Sequence, residues 1–447
     1  YLLSCFFCIM SDEQVKEIKK EGTSPKVEAK LTEEDKKKEE ELKIVEEYKL
    51  WRKNCRYMYD FISETALTWP SLSIQWLPSG TFVNKMKDTK YGTTRNLLLT
   101  THTSGEDTDY LKLSSMQLPK SIFPDGKKMS PEEMQTVNSR LKISKKYVQE
   151  SEINRVRYMP QDPRCIATIN GEGSCFVYSM DEKMGLESNT KLVHHKENGF
   201  GLCWNPKVKG ELLTSSDDHT IALWNYEKPE KTPNETEIEI RPTKVFSYHN
   251  DIVNDVRWHN FSGNTFGSVS DDHIFAYMDK REQKPAILSR LNEQTSFNTL
   301  CFSKFSNYLF ALGGEDSNVY LYDLRNTSRQ LHVIMGHQKP ITNVEWDPFH
   351  ENVIASSSTD RRIILWDINK IGEEQQPDEA EDGVPELIMM HGGHTGGVND
   401  FQFSNEIPWC IASCSDDNIV HVWKVSRKVL EENGEKGYNI VIPDDLE

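Results

Sequence analysis

The sequence predicts an all-β protein, a seven-bladed β-propeller with an N-terminal α-helix packed on its side. Two observations carry this prediction: a fixed His-to-Asp spacing of 23 residues, and an apolar strand that ends six residues after each Asp. Repetition at a fixed period is the signature of repeat architectures. The copies are His195/Asp218, His249/Asp272, His337/Asp360 and His394/Asp417, followed by Trp224, Met278, Trp366 and Trp423.

The distances between strand ends fit the size of a propeller blade. The ends at 224, 278, 322, 366 and 423 lie 54, 44, 44 and 57 residues apart, and a four-stranded blade takes about 40–45 residues. The two longer spacings, of 54 and 57 residues, contain insertions at 227–243 and 369–389. A fifth copy keeps Asp316 and Tyr322 but has Glu293 at the His position, and a weaker sixth copy ends at Tyr178.

Within each copy, short strands rich in Val, Ile, Phe, Tyr and Trp alternate with turns of Asp, Asn, Gly and Ser, which is the pattern of sequential hairpins. An Asp in such a turn can accept hydrogen bonds from backbone amides and from the preceding His. Because the same pair recurs blade after blade, we assign these residues to structure and not to catalysis or metal binding. The same interpretation covers His391 and His394.

The six copies span about 152–425, and the strands in 95–118 supply a seventh blade. The strand at 68–77 precedes all of them, and we expect it to complete the last blade, which would remove the exposed edges of the ring. Eight blades is the alternative. The propeller is therefore assigned to 63–430, with an insertion at 371–387 and a C-terminal tail at 431–447.

The N-terminal part contains a predicted helix at 32–62, which begins at a TEED sequence that can cap it. Its apolar residues recur at helical spacing and predict one buried stripe. The segment 57–62 is apolar on more than one face, so a second element or a partner must cover it. Residues 1–31 are predicted to be disordered or a non-native leader, because 11–30 lack large apolar groups and Met10 is a natural start.

The net charge of −17 argues against a nucleic-acid-binding surface, which needs clustered Lys and Arg. The insertion 371–387 holds seven acids and no base. An acidic loop beside an apolar helix end would form a groove suited to a basic amphipathic helix.

Other function classes find little support. The nine cysteines show no disulfide or zinc framework, which favours a reducing compartment. There is no nucleophile elbow, metal-ligand cluster or phosphate loop, so we predict a protein that is not an enzyme and has no cofactor and no metal. No stretch reaches transmembrane length, so we expect no membrane contact.

The chain resembles the retinoblastoma-binding, histone-chaperone family of WD-repeat proteins, which includes the small subunit of chromatin assembly factor. The fold class is then a seven-bladed WD-repeat β-propeller, and the resemblance spans about 45 to 425. The stretches that carry it are EEYKLWRKN (46–54), ALTWPSLSIQWLP (66–78), THTS (101–104), NRVRYMPQ (154–161), SSDDHTIALWN (215–225), STDRRIILWDINKIGEEQ (358–375), HGGHTGGVNDF (391–401) and DDNIVHVW (416–423).

The resemblance implies a histone-binding scaffold of chromatin assembly, deacetylase, remodelling or Polycomb-type complexes. It implies that a groove between the helix end and the acidic loop takes the first helix of histone H4. The matching apolar positions are Tyr57, Met58, Phe61 and Ile62, and the matching acids are Asp378, Glu379, Glu381 and Asp382. We expect a monomer whose partners are histones and complex subunits, located in the nucleus with a cytoplasmic pool.

The resemblance also implies a second site at the propeller mouth for the basic N-terminal tail of histone H3. Several positions depart from the family, since Thr68 and Asn254 replace Glu and Phe200 replaces Tyr. Pro340 and Thr342 also differ, and the lost acids would weaken capture of a basic tail. The matching residues are His102, Ser104, Glu106, Glu152, Asn154, Arg155, Asn298 and Asp416.

Two other functions stay open on the sequence. One is a substrate receptor of a cullin-type ubiquitin ligase, since Tyr322-Asp323-Leu324-Arg325 resembles the WDxR motif of such receptors. The other is an assembly chaperone for a basic ribosomal protein, which the acidic charge would also suit. The structural interpretation of the Asp-Leu-Arg turn is an ordinary blade end.

Overall fold

The computed structural model describes residues 33–82, 86–227, 238–376 and 383–432. Seven antiparallel sheets follow one another along the chain, and each contributes one blade of the ring. The prediction of a seven-bladed propeller is confirmed. The predictions for 1–31, and for the tail beyond residue 432, lie outside the described residues.

Blades one to three contain the first half of the ring, and blade two has a fifth strand that pairs in parallel with its outer strand. Their strands are β2 (Ile74–Leu77), β3 (Gly92–Leu99), β4 (Tyr110–Pro119) and β5 (Lys142–Val148) in blade one; β6 (Ile153–Met159), β7 (Asp162–Asn170), β8 (Cys175–Met180), β9 (Leu186–Leu192) and β13 (Ile238–Ile240) in blade two; β10 (Gly199–Trp204), β11 (Glu211–Ser216), β12 (Ile221–Asn225) and β14 (Lys244–Phe246) in blade three.

Blades four to seven complete the ring, and the last one takes its outer strand from the N-terminal part of the chain. Their strands are β15 (Val253–Trp258), β16 (Thr265–Ser270), β17 (Ile274–Asp279) and β18 (Ile287–Arg290) in blade four; β19 (Phe297–Phe302), β20 (Leu309–Gly314), β21 (Val319–Asp323) and β22 (His332–Ile334) in blade five; β23 (Ile341–Trp346), β24 (Val353–Ser358), β25 (Ile363–Asp367) and β26 (Leu387–His391) in blade six; β27 (Val398–Phe403), β28 (Cys410–Ser415), β29 (Ile419–Val425) and β1 (Tyr59–Ala66) in blade seven.

The strand that closes the ring is not the predicted one. β1 pairs antiparallel with β29, from Tyr59 opposite Val425 to Ala66 opposite Ile419. The predicted segment 68–77 instead contains β2, which is the inner strand of blade one. Both segments are apolar and lie before the first repeat, and only the pairing partner distinguishes an outer strand from an inner one.

The helices differ from the prediction in their length and number. Helix α1 spans Glu33–Met58, so the predicted helix at 32–62 stops four residues early and the chain continues into β1. Two short helices, α2 (Pro131–Gln135) and α3 (Arg427–Glu432), were not predicted. None of the described helices is both long and apolar enough to cross a bilayer.

The repeated His and Asp residues form a hydrogen-bonded chain inside blades three, four, six and seven. In blade six, His337 Nδ1 lies 2.8 Å from Asp360, and its Nε2 lies 2.8 Å from the hydroxyl of Ser356. The indole N–H of Trp366 donates to the same hydroxyl at 2.8 Å. Blade three repeats the arrangement with Thr214 as the hydroxyl. The structural assignment of these pairs is therefore confirmed.

The central channel is filled by charged side chains that bond from blade to blade. Arg155 and Arg257 both bind Asp255, at 2.8 and 2.9 Å, and Arg157 binds Asp400 at 3.2 Å. Both aspartates are almost fully buried, and buried charges persist only when they are paired and hydrogen-bonded. The channel is thus a polar core that fixes the inner strands relative to one another.

Replacing Ser356 by Ala is expected to destabilise the propeller, because it leaves His337 Nε2 and the Trp366 indole buried without their shared partner. An unsatisfied buried group costs about 1–3 kcal/mol. The measurement is the thermal unfolding midpoint, with Ser328→Ala as the control because that serine is exposed. Equal midpoints for the two variants would contradict the prediction.

Candidate functional site

The end of α1 presents two partly exposed apolar side chains. Tyr57 and Met58 are both half-buried, and the guanidinium of Arg56 lies over the Tyr57 ring at 4.6 Å. Met58 packs against the apolar cluster of blades six and seven. Its carbonyl accepts a hydrogen bond from the Ser426 amide at 2.9 Å, which ties the helix end to the last strand. These two predicted residues lie where a groove needs them.

The other two predicted apolar residues lie on a strand instead of a helix. Phe61 is only 8% exposed and packs into the cluster between blades seven and one. Ile62 is half-buried and packs against the cluster of blades six and seven. Both residues nevertheless line one cavity of about 670 Å³, together with Arg52 and Glu64. Phe61 is mostly covered by the propeller itself, and its predicted part in histone H4 binding stays a prediction.

Helix α3 is a wall of the site that the sequence did not predict. It packs against α1 and against β26, and its Val429 and Leu430 are buried in the same cluster that Met58 contacts. The sequence feature that could have indicated this helix is the apolar pair Val429 and Leu430 directly after the last repeat. A segment of six residues is too short to show helical periodicity. The α3 contacts show that the helix end and the strand after the acidic insertion are neighbours.

The acidic insertion connects β25 to β26 in blade six. Its acids Asp378, Glu379, Glu381 and Asp382 lie outside the described residues. The described flanks, Ile371 and Val384, pack against the cluster that holds Met58 and Leu430. The amide of Gln375 donates to the carbonyl of Gly383 at 3.1 Å, which closes the base of the insertion. Both flanks of the insertion therefore adjoin the large apolar cluster against which Met58 also packs.

A hydrogen-bonded chain anchors α1 to blade seven. The indole N–H of Trp51 donates to the Tyr59 hydroxyl at 3.0 Å, and that hydroxyl lies 2.6 Å from His391 Nδ1. His391 Nε2 lies 3.0 Å from His421 Nδ1. An indole N–H can only donate, so the Tyr59 hydroxyl accepts from Trp51, and the tautomers of His391 and His421 set the direction of the other two bonds. All four side chains are buried.

The two histidines of this hydrogen-bonded chain, His391 and His421, are neutral in the folded protein. Burial, and then the neighbouring His394, lower the pKa of His391 well below its ordinary value. Burial, followed by His394 and His391, does the same to the pKa of His421. Because burial disfavours the charged form of both rings, protonating either histidine would place an uncompensated charge at the anchor of α1.

His391 and His421, with His394, form one of two groups of potential metal ligands in the described part of the chain; the ligand atoms of each group lie within 4.8 Å of one another. Their geometry does not suit a metal ion. The His394 and His421 rings are stacked at 4.2 Å with an interplanar angle of 20°, so their in-plane lone pairs do not converge on one point. His394 is also bonded to Asp417 and Ser413, as in the other blades. The histidines are better explained as structural.

The propeller mouth is the open end where the inner strands begin. It contains a cavity of about 470 Å³ that the predicted residues Asn154, Arg155 and Asn298 line, together with Phe200 and Asn254. Three of the eight predicted mouth residues therefore line one cavity.

The predicted residues His102, Ser104 and Glu106 lie on the loop between β3 and β4, and they do not line the cavity. Glu152 is half-buried and accepts a hydrogen bond from the Ser151 hydroxyl at 2.8 Å. Asp416 accepts a hydrogen bond from Asn399, which lines the cavity, at 2.8 Å. These predicted residues surround the cavity instead of forming its wall.

The asparagines of the mouth have a structural role. Each donates from its side-chain amide to the first residues of the next blade, so neighbouring blades are joined around the rim. The bonds run from Asn154 to Gly199 O at 2.9 Å, from Asn254 to Phe297 O at 3.1 Å, from Asn298 to Ile341 O at 3.0 Å and from Asn399 to Ser71 O at 3.3 Å.

Acidic side chains lie on the adjacent turns and bind the same asparagines. Asp271 accepts from Asn254 at 2.8 Å, and Glu315 accepts from Asn298 at 3.1 Å. Burial, followed by Glu197, raises the pKa of Asp217 on the equivalent turn of blade three. The sequence analysis predicted a loss of acids from the inner strands. It did not predict a role for Asp217, Asp271 and Glu315, although each directly precedes the repeated Asp of its copy.

The fold is that of a WD-repeat propeller, with an N-terminal helix anchored on blade seven and acidic side chains on the turns around its mouth. A family profile described as histone-binding protein RBBP4 or a subunit of the CAF1 complex matches residues 46–120, and the WD-domain repeat matches 328–367 and 385–424. Proteins named histone acetyltransferase type B subunit 2 are similar over most of the chain.

The relative from Debaryomyces hansenii is 47% identical over 411 residues, which cover 90% of this chain and 94% of the relative. The relative from Candida glabrata is 43% identical over 410 residues, with 91% and 94% covered, and that from Candida albicans is 45% identical over 398 residues, with 88% and 95% covered. The chain belongs to this family of histone acetyltransferase type B subunit 2 proteins.

Lowering the pH from about 7.5 to about 5 is expected to destabilise the α1 anchor. The folded-state pKa of His421 lies below its unfolded value of about 6.5, so the unfolded chain binds more protons below that pH. The free energy of unfolding therefore falls as the pH falls, and His421→Gln should reduce this loss. The measurement is the unfolding midpoint against pH. The control is His102→Gln, because His102 lies outside the anchor, and a wild-type slope in His421→Gln would contradict the prediction.

Proposed function

We propose that the protein is a non-catalytic histone-binding subunit of a chromatin complex of the histone acetyltransferase type. The observation that supports the proposal is that the apolar end of α1 and the flanks of the acidic insertion pack against one apolar cluster, and that α3 contacts both α1 and the strand after the insertion. Both comparisons support a role in histone binding, since the family profile is described as a histone-binding protein and the relatives are named as histone acetyltransferase subunits. A chromatin role places the protein in the nucleus, with other complex subunits as partners.

The proposed ligand of the groove is the first helix of histone H4, a basic amphipathic segment. Tyr57 and Met58 would bury its apolar face, with Leu430 of α3 behind them. Apolar burial supplies about 25 cal/mol per Å² before the costs of association. Exposed ion pairs contribute only about 0–1 kcal/mol each, so Asp378, Glu379, Glu381 and Asp382 would mainly select a basic partner and speed its encounter.

Replacing Tyr57 by Ala is expected to weaken binding of an H4 helix peptide about tenfold, because aromatic anchors carry much of the energy of an interface. Replacing the four acids of the insertion by Lys should weaken binding of the H4 peptide further and should reduce the salt dependence of that binding. These acids are Asp378, Glu379, Glu381 and Asp382. The measurement is isothermal titration of the full chain with the peptide.

The matched control for Tyr57→Ala is Leu42→Ala, because Leu42 is 65% exposed on the same helix, about four turns earlier. Phe61 is a less direct test site, because its ring is 8% exposed and packs into the cluster of blades seven and one, so a polar residue there would also lower the stability of the propeller. Wild-type affinity in both the Tyr57 and the loop variants would reject the groove.

The second proposed ligand is the basic tail of histone H3 at the mouth. The acids on the turns around the cavity, Asp217, Asp271, Glu315 and Asp416, support a positively charged ligand although the inner strands carry Asn. Because three of these acids are bonded to the asparagines, the rim is ordered before a ligand arrives.

The double variant Glu315→Gln and Asp416→Asn is expected to weaken binding of an H3 tail peptide about three- to tenfold. The amide replacements keep an oxygen that can accept from Asn298 and Asn399, so the rim should stay intact. Fluorescence anisotropy at low and high salt measures the effect, and Glu351→Gln, on the opposite face, is the control. An affinity equal to that of the control would contradict the assignment.

The ligase-receptor alternative gains no support from the geometry. Arg325 forms a bidentate pair with Asp323. Arg281 forms the same pair with Asp279 in blade four. Since the turn recurs in a neighbouring blade, it is sufficiently explained as an ordinary blade end.

A further inference from the structure

Blade one contains a buried lysine on a strand whose other residues are uncharged. Lys112 lies on β4, the third strand of this blade, and is 3% exposed. Ser114 and Met116, which follow it on the same face of the strand, are buried as well. Lysine is almost never buried to this extent unless an acceptor pairs with its ammonium group, so the surroundings of Lys112 require an explanation.

The protein supplies no direct partner for the Lys112 ammonium group. Among the described residues, no carboxylate oxygen lies within 4.0 Å of it and no acceptor takes a hydrogen bond from it. Asp109 is the acid whose charge acts on Lys112. The oxygens of Asp109 already accept hydrogen bonds from the Thr101 hydroxyl at 2.9 Å and from the Thr103 amide and hydroxyl at 3.1 and 3.2 Å. Asp109 therefore compensates the buried charge only from a distance.

A second lysine lies directly opposite the first. In the antiparallel pair of β4 and β5, Lys112 is opposite Lys146, and the Cβ atoms of such a pair lie about 4.5–5.5 Å apart on one face of the sheet. Lys146 is exposed, and its ammonium group lies 5.2 Å from the centre of the Tyr110 ring. Burial, and then Lys146, lower the pKa of Lys112 to about 8, although Asp109 acts in the opposite direction. Like charges directly opposite each other destabilise a sheet, so the pair points to an anion that neutralises it.

The ordinary explanations for lysines in a sheet do not cover Lys112. β5 is the outer strand of blade one, and its exposed Lys142 and Lys145 prevent edge-to-edge pairing with another chain. Lys112 lies between β3 and β5, where a charge protects no edge. A lysine can also bury its stem and keep its head in water, but a side chain that is 3% exposed leaves little water around its ammonium group.

The lysine pair lies at the junction of blade one with blade seven. Lys112 is opposite Leu99 on β3, and Leu99 belongs to the same apolar cluster as Val420 of blade seven. Neither Lys112 nor Lys146 lines the mouth cavity or the cavity beside Phe61. The pair is therefore distinct from both proposed histone sites.

We propose that Lys112 and Lys146 bind a phosphoryl dianion, either inorganic phosphate or the phosphate group of a phosphorylated side chain. A dianion neutralises both ammonium groups, whereas a carboxylate neutralises one. Lysine binds phosphate as a point charge. Nucleic acid fits less well, because each of its phosphodiesters carries one charge and a polyanion is repelled by a chain with a net charge of −17. The proposal does not rest on the histone assignment.

The test uses the full chain at constant ionic strength, with sodium chloride as the balancing salt. Inorganic phosphate, N-acetylphosphoserine amide and acetate are each titrated by calorimetry, and the thermal unfolding midpoint is measured with each. Both phosphoryl compounds should bind and raise the midpoint of the wild type, because a ligand of the folded state stabilises it. Acetate should have little effect.

Lys112→Met and Lys146→Gln should each weaken phosphate binding at least about tenfold. Lys112→Met keeps a long apolar side chain and removes the uncompensated charge, so its midpoint without phosphate should exceed that of the wild type. Lys146 is exposed, so its replacement keeps the test informative if the buried variant does not fold.

Lys142→Gln is the matched control, because Lys142 is an exposed lysine of β5 opposite Ser115, on the other face of the blade. It should keep wild-type affinity for phosphate. Undiminished phosphate binding in Lys112→Met and Lys146→Gln, an equal loss in Lys142→Gln, or acetate binding as tight as that of phosphate would each overturn the proposal. Tighter binding of the phosphoserine compound would identify a phosphorylated side chain as the source of the group, and tighter binding of inorganic phosphate the free ion. All variants should retain affinity for the H4 peptide, so failure here is distinguishable from failure of the histone assignment.

Discussion

The pairing of β1 with β29 is the constraint on which the rest of the structure depends. It joins the two ends of the repeat region, so no blade is left with a missing outer strand. It also fixes the chain on both sides: α1 must end where β1 begins, and blade one must follow. Trp51 and Tyr59 lie at this point and extend the closure through His391 and His421. The helix end therefore occupies a defined position beside blade seven and the acidic insertion.

Around this closure the propeller is rigid from its centre to its rim. Paired Arg and Asp side chains fill the channel, and the asparagines of the mouth join each blade to the next. Rigid surfaces lose little conformational entropy on binding. The histone assignment depends on this property, because both the groove and the mouth, in the described part of the chain, are open surfaces that do not enclose a ligand. Shape and charge that are already in place must supply the selectivity.

The two faces of the ring differ in chemistry as well as in position. The mouth is lined by amides with acids on its turns, whereas the turns of the opposite face carry exposed apolar side chains among residues of both charges. The repeat explains how this difference can arise, because equivalent turns lie on the same face in every blade. Substituting one turn position in successive copies builds a continuous surface without disturbing the His, Asp and Trp residues that hold each blade together.

Residue spacing was enough to predict the blade count, the hydrogen-bonded role of the repeated His and Asp, and the presence of a helix before the ring. These features are local and repeated, so spacing and side-chain type are sufficient to predict them. Three other features emerged only from the folded chain: β1 closes the ring, Phe61 is buried while Tyr57 stays partly open, and α3 packs against α1 and β26. Each of these depends on contacts between residues more than 300 positions apart. No local pattern can encode which of two similar apolar segments pairs with a strand at the other end of the chain.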